Sequence, residues 1–220
     1  MKKNIPTILT IENSSSLCSV CINDNKKIFY TEQFKNVESS RFILNIIDYI
    51  LYKSKIKITC INALSFSIGP GNFTSMRITM SVIKGIALGY KLPIIKVSSL
   101  KSIALEAFYT YKINKIFAAI ISNTNEISYG IYIYKKKIIK NILNKEIKKK
   151  NYNIKLPYIE IAGVGNGCYK YKNILSLNNL KLKIKYNINY PKAIYTHVLS
   201  LDELDVNNFC SIKIKPKYLD

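Results

Sequence analysis

The chain has 220 residues, of which 48% are hydrophobic, and a formal net charge of +21 at pH 7. This length suits one large domain or two small ones, and no run of 18 apolar residues is present, which excludes a spanning helix. The short apolar stretch near the N-terminus already contains Glu12, which does not fit a secretory signal. We therefore expect a soluble cytoplasmic protein with its own core and no contact with a membrane.

Lysine accounts for almost all of the positive charge. Only Arg41 and Arg77 among the 34 basic residues are arginines, and tryptophan is absent. This composition is typical of a protein encoded by an AT-rich genome, so much of the charge is expected on solvated faces. A strongly basic chain also favours nucleic acid as a partner, and a basic RNA-binding module is therefore one alternative function.

Five cysteines are scattered along the chain, and this irregular, odd set argues against a disulfide framework. Cys18 and Cys21 have CxxC spacing, but they lie in an alternating strand pattern and should face opposite sides of a sheet. His197 is the only histidine, so a two-histidine metal site cannot be built. The sequence predicts neither a metal site nor a catalytic residue in this chain.

The first half of the chain predicts three antiparallel strands followed by alternating helices and strands. The predicted strands cover residues 7–11, 17–22, 27–34, 62–68 and 94–97, and the predicted helices cover 39–53, 74–89 and 99–111. The last two strands flank a helix and should be parallel, with a right-handed crossover. This order is that of a ribonuclease H-like unit.

A glycine turn connects the fourth predicted strand to the central helix. Gly69, Pro70 and Gly71 must reverse the chain there. The helix is expected to begin near Thr74, with Phe73 beside it. The segment therefore predicts a tight strand–turn–helix connection.

The central helix is apolar on most of its sides. Its residues fall on an apolar stripe containing Met76, Met80 and Ile83 and on a second line of Arg77, Ser81, Gly85 and Gly89. Gly85 in mid-helix costs roughly 0.5–1 kcal/mol relative to alanine, and Gly89 is expected to end the helix. The helix is either buried within a single core or packed on the sheet by one face while the other meets a partner chain.

Beyond residue 112 the pattern weakens. Strands are predicted over 117–121, 127–134, 137–142 and 158–162, followed by a turn at Gly163, Gly165 and Gly167, a short helix, and a last helix at 195–201. Because three consecutive strands repeat the opening order, we expect a second, degenerate half. The predicted class is α/β, with two lobes of mixed sheets flanked by helices, at residues 1–112 and 113–220.

Three segments together resemble one family. The runs ILTIENSSSLCSVCI, SIGPGNFTSMR and LGYKLPIIKVSSL resemble the signature segments of the TsaB-type tRNA threonylcarbamoyladenosine biosynthesis proteins. Weaker similarities are FAAIISNTNEISYGIY, IAGVGNG and the terminal KPKYL. The resemblance implies the two-lobed fold of the actin-like ATPase class.

The resemblance also implies a role and partners. A family member is a non-catalytic subunit that binds and organises the catalytic TsaD-type subunit, and with a TsaE-type ATPase the complex modifies the adenosine next to the tRNA anticodon. ATP and Mg²⁺ serve the complex, and no cofactor is assigned to this chain. Homodimers through the same two helices are also implied. The candidate interface consists of Phe42, Ile46, Tyr49, Met76, Arg77, Met80, Ser81, Ile83 and Gly85.

The sequence departs from the family pattern at several polar positions. Glu12 and Ile121 stand where the family has aspartates, and Ser39 stands where a histidine is common. Asn72 and Ser75 replace the serine and glycine of the turn segment. These departures argue against nucleotide binding or turnover by this chain. None of them is among the candidate interface residues.

Glu12 and Ser14 are the candidate nucleotide-binding residues. Glu12 follows the first strand, where actin-like ATPases hold an acidic residue for hydrated Mg²⁺, and Ser14 could bind phosphate. The alternative is a polar turn with a solvated carboxylate. A stand-alone ATP-dependent enzyme of the actin or sugar-kinase class is therefore a second alternative function, which requires turnover that Glu12→Ala abolishes.

Overall fold

A computed structural model describes residues 5–25, 27–35, 39–123, 126–135, 138–148, 161–170, 182–185 and 187–206. The chain divides into two compact units. The first is drawn from Met1–Ile68, Thr74–Val97 and Lys192–Asp220, and the second from Gly69–Phe73 and Ser98–Pro191. This division differs from the predicted lobes at 1–112 and 113–220, because the Gly69–Phe73 turn and the helix that follows Ser98 group with the second unit, whereas the last described helix groups with the first.

The first unit is built on a five-stranded mixed sheet with the order β3-β2-β1-β4-β5. Its strands are β1 Ile8–Glu12, β2 Leu17–Asn23, β3 Ile28–Phe34, β4 Ala63–Ser67 and β5 Ile94–Val97. Strands β1, β2 and β3 pair antiparallel, whereas β4 pairs parallel with both β1 and β5. The predicted antiparallel directions of the first three strands and the predicted parallel directions of β4 and β5 are confirmed.

The helices are numbered along the chain. They are α1 Ser40–Ser54, α2 Phe73–Tyr90, α3 Ser99–Tyr111, α4 Asn166–Lys170 and α5 Ala193–Val206, and a short 3-10 helix covers Ile58–Cys60. Helix α1 begins where the Ser39 hydroxyl accepts a hydrogen bond from the Phe42 N–H at 3.2 Å, as an N-cap serine does. Helices α1, α2 and α5 belong to the first unit, and α3 and α4 to the second.

The two faces of the first sheet differ in chemistry because successive side chains of a strand point to opposite faces. One face is aliphatic and shares a core with the inner sides of α1 and α2. Members of this core include Leu9, Ile11, Val20, Ile47, Leu64 and Ile83. The other face carries small polar side chains that hydrogen-bond to α5, and these include Thr10, Ser19 and Ser65.

The second unit repeats the architecture with the order β10-β9-β6-β7-β8. Its strands are β6 Lys115–Asn123, β7 Glu126–Lys135, β8 Ile138–Lys148, β9 Ile161–Val164 and β10 Leu182–Ile184. A Cβ at Gly165 would lie 2.1 Å from the Ala119 carbonyl oxygen, and one at Gly167 would lie 2.9 Å from the Ala119 carbonyl carbon. The turn between β9 and α4 therefore requires glycine, since its backbone presses on β6.

The predicted elements differ from the observed ones mainly at the ends of helices and in segments that have no hydrophobic periodicity. Strand β10 was missed because Leu182–Ile184 is short and lies in a lysine-rich region without periodicity. The prediction that Gly89 ends α2 was wrong, since the helix continues to Tyr90 and Lys91 takes the left-handed conformation at φ 54°. Cys210 and the KPKYL segment lie outside the described residues.

Among the described residues, three non-glycine positions have positive φ, and each is a lysine that follows a helix. Lys55, Lys91 and Lys112 have φ of 58°, 54° and 56°. A side chain in this conformation is strained by about 1 kcal/mol. We expect Lys55→Gly to raise the free energy of unfolding by about 0.5–1 kcal/mol, measured by urea denaturation. The control Lys53→Gly, two residues earlier inside α1, should lower it by about 1 kcal/mol; an equal effect of both changes would contradict this account.

Candidate functional site

The outward sides of α1 and α2 form the predicted partner surface. Tyr49, Arg77, Ser81 and Gly85 are exposed, and Phe42, Met76 and Met80 are half-buried at the margin of the core. Leu88 is 79% exposed and lies on the same line of α2, three residues after Gly85. Sequence reasoning missed Leu88 because hydrophobicity alone does not distinguish an outward leucine from a core leucine.

Two predicted interface residues lie elsewhere. Ile46 is 7% exposed and Ile83 is 0% exposed, and both belong to the core beneath the helices. An apolar stripe that must cover a sheet gives the same sequence signal as one that meets a partner. These two side chains support the surface from below and do not line it.

Gly85 lies in the middle of α2 with open space around it. A Cβ added there would meet nothing within 4 Å, and the same holds for Gly89. Both positions are exposed. Within the described chain, therefore, no neighbouring backbone explains why these helical positions lack a side chain.

The turn motif links β4 to α2 and holds the start of the helix. Gly69 has φ 99°, is joined to Pro70 by a cis peptide bond, and its carbonyl accepts a hydrogen bond from the Ser99 N–H at 2.9 Å. Gly71 is buried, whereas Phe73 is 48% exposed. Phe73 and the exposed Thr74 are the first residues of α2.

Glu12 lies at the end of β1 and is closed in by its neighbours. Its Oε1 accepts hydrogen bonds from the Ser14 N–H at 3.0 Å and the Ser14 hydroxyl at 2.6 Å, and its Oε2 accepts one from the Thr196 hydroxyl at 3.2 Å. Burial raises the pKa of Glu12, while the hydrogen bonds from Ser14, Ser67 and Thr196 act to lower it. Glu12 is 0% and Ser14 1% exposed.

This arrangement does not fit a magnesium–nucleotide site. A hydrated Mg²⁺ needs carboxylate oxygens that its water shell can reach. Both oxygens of Glu12 accept hydrogen bonds from the protein, and the carboxylate is fully buried. The two candidate nucleotide-binding residues instead bind each other.

Asn13, the next residue, points to the opposite face of the sheet and fixes α2. Its Nδ2 donates to the Thr79 hydroxyl at 2.9 Å and to the Ser75 carbonyl at 3.4 Å. Lys35 Nζ donates to the Ser75 hydroxyl at 2.6 Å. These contacts hold positions 75 and 79 of α2 inward, so that Arg77 and Ser81 point outward. They therefore set the rotation of the helix about its axis.

Helix α5 lies on the polar face of the first sheet through a row of hydrogen bonds. These join His197 Nδ1 to the Thr10 hydroxyl at 3.0 Å, the Ser200 hydroxyl to that of Ser65 at 2.6 Å, and the Ala193 N–H to the Ser19 hydroxyl at 2.8 Å. His197 is 0% exposed, and its Nε2 has no hydrogen-bond partner among the described residues. Burial lowers the pKa of His197 to about 4, so the ring is neutral at pH 7.

The described residues contain no group of three or more His, Cys, Asp and Glu side chains able to hold a metal ion. Cys18 packs with the α1 and α2 core, whereas Cys21 pairs across the sheet with Thr10 on the other face. Burial raises the pKa of both thiols to about 12, so neither offers a thiolate at neutral pH. Over the same residues, every helix is too short or too polar to traverse a lipid bilayer.

Comparison with known proteins decides the family. The family model described as "TsaD: tRNA N6-adenosine threonylcarbamoyltransferase" matches residues 36–204. A protein of Buchnera aphidicola subsp. Baizongia pistaciae named "tRNA threonylcarbamoyladenosine biosynthesis protein TsaB" is 31% identical over 98% of this chain and 99% of its own length. The chain belongs to the TsaB family. The TsaD match reflects a domain that the two kinds of protein share.

Other relatives agree with this assignment. An Escherichia coli protein of the same TsaB name is 33% identical over 57% of this chain and 54% of its own length. A Pseudomonas aeruginosa crystal structure titled as similar to "peptidase YEAZ" has a TM-score of 0.86, 20% identity, and coverage of 98% of this chain and 100% of its own. The resemblance predicted from the three motifs is confirmed, and so is the two-sheet fold class.

The buried His197 predicts a measurable pH dependence. Its pKa is about 4 in the folded chain against an ordinary 6.5, so acidification protonates the unfolded chain first and favours unfolding. Between pH 6.5 and 4 this effect is worth about 3 kcal/mol. We expect His197→Gln to weaken the fall in unfolding free energy over that range, measured by urea denaturation at each pH. Glu12 is present in both proteins. An equal fall in the free energy of unfolding of both over this pH range would therefore show that His197 does not titrate as described.

Proposed function

We propose that this protein is a non-catalytic subunit required for threonylcarbamoylation of the adenosine next to the anticodon of tRNA. It binds and organises the catalytic TsaD-type subunit through the outer faces of α1 and α2. The observation that carries this proposal is Gly85, an exposed mid-helix glycine with nothing of its own chain within 4 Å. The curated relatives support the pathway, since their names are those of biosynthesis proteins for this modified nucleoside.

The energetics of α2 support a partner at this face. Each glycine inside a helix lowers its stability by roughly 0.5–1 kcal/mol relative to alanine. Gly85 gains no contact within the described chain to offset that loss. A second helix crossing at Gly85 could approach closely because no Cβ stands in the way. Leu88, 79% exposed, would then be buried beside the crossing point.

Polar and charged groups on the same face would orient the partner. Arg77 is one of two arginines in the chain and is exposed two turns before Gly85. A guanidinium there can form a two-pronged ion pair with a carboxylate across the interface. Tyr49, 52% exposed on α1, would add a ring with a polar tip of the kind common in interfaces.

The same face would serve a homodimer, so the two assemblies exclude each other. A homodimer that uses α1 and α2 must dissociate before the TsaD-type subunit can bind. We further propose a TsaE-type ATPase as a component of the complex, tRNA as its substrate and the cytoplasm as its location. These three statements rest on family membership alone.

The closed turn at Glu12 supports a non-catalytic role. A stand-alone ATP-dependent enzyme of the actin class needs this acidic group to reach the water shell of Mg²⁺. Here the carboxylate hydrogen-bonds instead to Ser14 and to Thr196 of α5. ATP and Mg²⁺ used by the complex are therefore assigned to its other subunits.

Substitution of Gly85 separates folding from assembly. Gly85→Ala should raise the free energy of unfolding of the isolated chain by about 0.5–1 kcal/mol, because alanine favours the helix. The same change should weaken the complex with the TsaD-type subunit about tenfold, since the added Cβ separates the helices. Chemical denaturation and isothermal titration calorimetry measure the two effects.

A bulkier change gives the decisive comparison. Gly85→Trp should abolish the complex in size-exclusion chromatography with light scattering, whereas Thr110→Trp, at an exposed position of α3, should leave it intact. An unaltered complex with Gly85→Trp would place the interface elsewhere. No complex between unsubstituted proteins at micromolar concentration would overturn the proposal.

Substitution of Glu12 tests the non-catalytic assignment. Glu12→Gln removes the charge but keeps the shape and one carbonyl oxygen. We expect the reconstituted complex to modify tRNA at an unchanged rate with this variant, measured by nucleoside mass spectrometry. A rate at least about a hundredfold lower, in a folded variant that still forms the complex, would favour the ATP-dependent enzyme, since an essential catalytic group contributes that much or more.

A further inference from the structure

We infer that β3, the outer strand of the first sheet, is an interaction surface for a second copy of this chain. The two β3 strands pair antiparallel about a two-fold axis at Thr31 and join the two sheets edge to edge. This pairing uses the backbone of β3 and not the outer faces of α1 and α2, and the inference does not rest on the proposed function.

The strand β3 differs from the other three outer strands of the described sheets. Short length, lysines and bulges keep an outer strand from pairing with another chain. Strands β5 and β10 have four and three residues, and each contains a lysine. Strand β8 contains three lysines, and its pairing with β7 has a register shift. Strand β3 has seven residues and an unbroken register with no lysine or proline, although 34 of the 220 residues are basic.

The backbone groups of alternate residues in β3 point to its outer edge. The Lys35 N–H donates to the Ser16 carbonyl at 2.9 Å, and the Asp24 N–H donates to the Lys27 carbonyl at 3.0 Å. Because hydrogen-bonded and non-bonded pairs alternate in an antiparallel ladder, the odd-numbered residues of β3 bond to β2. In the described chain, no strand lies on the other side of β3. The residues whose N–H and C=O groups point to that side are Ile28, Tyr30, Glu32 and Phe34.

These outward groups select one register for two copies. Two edges exchange hydrogen bonds only where both present outward groups, so even-numbered residues must face even-numbered residues. A two-fold axis at Thr31 sets Ile28 opposite Phe34 of the other copy and Tyr30 opposite Glu32. All the outward residues are then paired, and about eight backbone hydrogen bonds form. An axis at Glu32 would instead set two carboxylates against each other and leave Ile28 beyond the paired region.

The side chains of the outward residues are complementary in this register. Ile28 is 47% exposed and Phe34 is 60% exposed. Both lie on the face of the sheet that carries α5, because they pair with Asn23 and Leu17 of β2, which share that face with Ser19. Cross-strand pairs of this kind, an aromatic ring against a β-branched side chain, are favourable. The self-complementary ends thus suit a symmetric contact between copies.

Charge along the edge is compatible with the pairing. Glu32 is the only charged residue of β3, and Tyr30 donates a hydrogen bond to its Oε2 within the chain. In the dimer, Tyr30 of the other copy lies directly opposite Glu32. The like charges of Lys27 and Lys35 meet only beyond the ends of the strands. Lys35 Nζ is turned towards its own α2, where it donates to the Ser75 hydroxyl at 2.6 Å.

A cysteine at position 31 tests the pairing because Thr31 faces itself across the two-fold axis. The Cα atoms of such a non-hydrogen-bonded pair are about 4.5 Å apart, within the reach of a disulfide. Thr31→Cys should therefore form a cross-linked dimer in oxidised glutathione, measured by non-reducing electrophoresis. The full chain would also carry Gly85→Trp, which blocks the α2 face, together with Cys60→Ser and Cys210→Ser. Cys18, Cys21 and Cys168 are buried.

Gln33→Cys in the same background is the matched control. Position 33 lies on the same face of β3 as position 31, but it is opposite Phe29 of the other copy. The two Gln33 residues are therefore separated by roughly 13 Å along the strands, too far for a disulfide. Thr31→Cys should cross-link at least about tenfold faster, because pairing raises the effective concentration of its thiols alone. Equal rates would show random collision and overturn the inference.

A proline at position 32 tests the backbone hydrogen bonds. The Glu32 N–H points outward, so its loss costs β3 no bond to β2. Glu32→Pro should slow the cross-linking of Thr31→Cys at least about tenfold, whereas Glu32→Thr, which keeps the N–H, should not. Urea denaturation shows whether each variant is folded.

A side-chain variant repeats the test without altering the backbone. Ile28→Lys places a charge against Phe34 of the other copy and should also slow the cross-linking of Thr31→Cys. Ile138→Lys is its control, since Ile138 is 55% exposed on β8. Equal effects of these two lysines, or no cross-linked Thr31→Cys dimer at all, would show that a second copy does not occupy this edge. Either result leaves the proposed complex untouched, because the TsaD-type subunit is absent from these measurements.

Discussion

Strand β1 must send neighbouring side chains to opposite faces of its sheet, and the first unit depends on this constraint. Glu12 turns towards α5, where Thr196 hydrogen-bonds to it, and Asn13 turns towards α2, where Thr79 and Ser75 do the same. Two consecutive residues thus fix helices on both sides of the sheet. Each contact is a buried hydrogen bond, so losing either partner leaves an unsatisfied polar group and misplaces a helix.

The fixed rotation of α2 explains how one helix serves a core and a surface. With Ser75 and Thr79 held inward, the aliphatic side of the helix covers the sheet, and Ser81, Gly85 and Leu88 remain outside. The same turn that would hold Mg²⁺ in an actin-like ATPase has become an internal support. The geometry is therefore more consistent with a subunit that presents a surface than with one that binds nucleotide.

The many lysines of this chain lie in different environments and have different physical effects. A lysine on a solvated face contributes little beyond solubility and a long-range field. Lys112 differs because its Nζ lies over two aromatic rings, 5.6 Å from the Tyr109 centroid and 5.8 Å from the Phe108 centroid. The outer faces of α1 and α2 belong to the first unit, and this lysine–aromatic cluster belongs to the second.

The sequence by itself determined the order of helices and strands along the first half of the chain, the parallel directions of β4 and β5, the opposite faces of Cys18 and Cys21, and the family. Each follows from period, spacing or motif, which are local properties. Only the tertiary structure decided that Ile83 is core while Leu88 is exposed, and that Glu12 is buried by α5. The burial of Glu12 depends on a contact between residues 184 positions apart, and the placement of Ile83 and Leu88 depends on contacts of α2 with Asn13, which lies more than 60 positions away. A helix that must cover a sheet and meet a partner shows the same hydrophobicity on both sides.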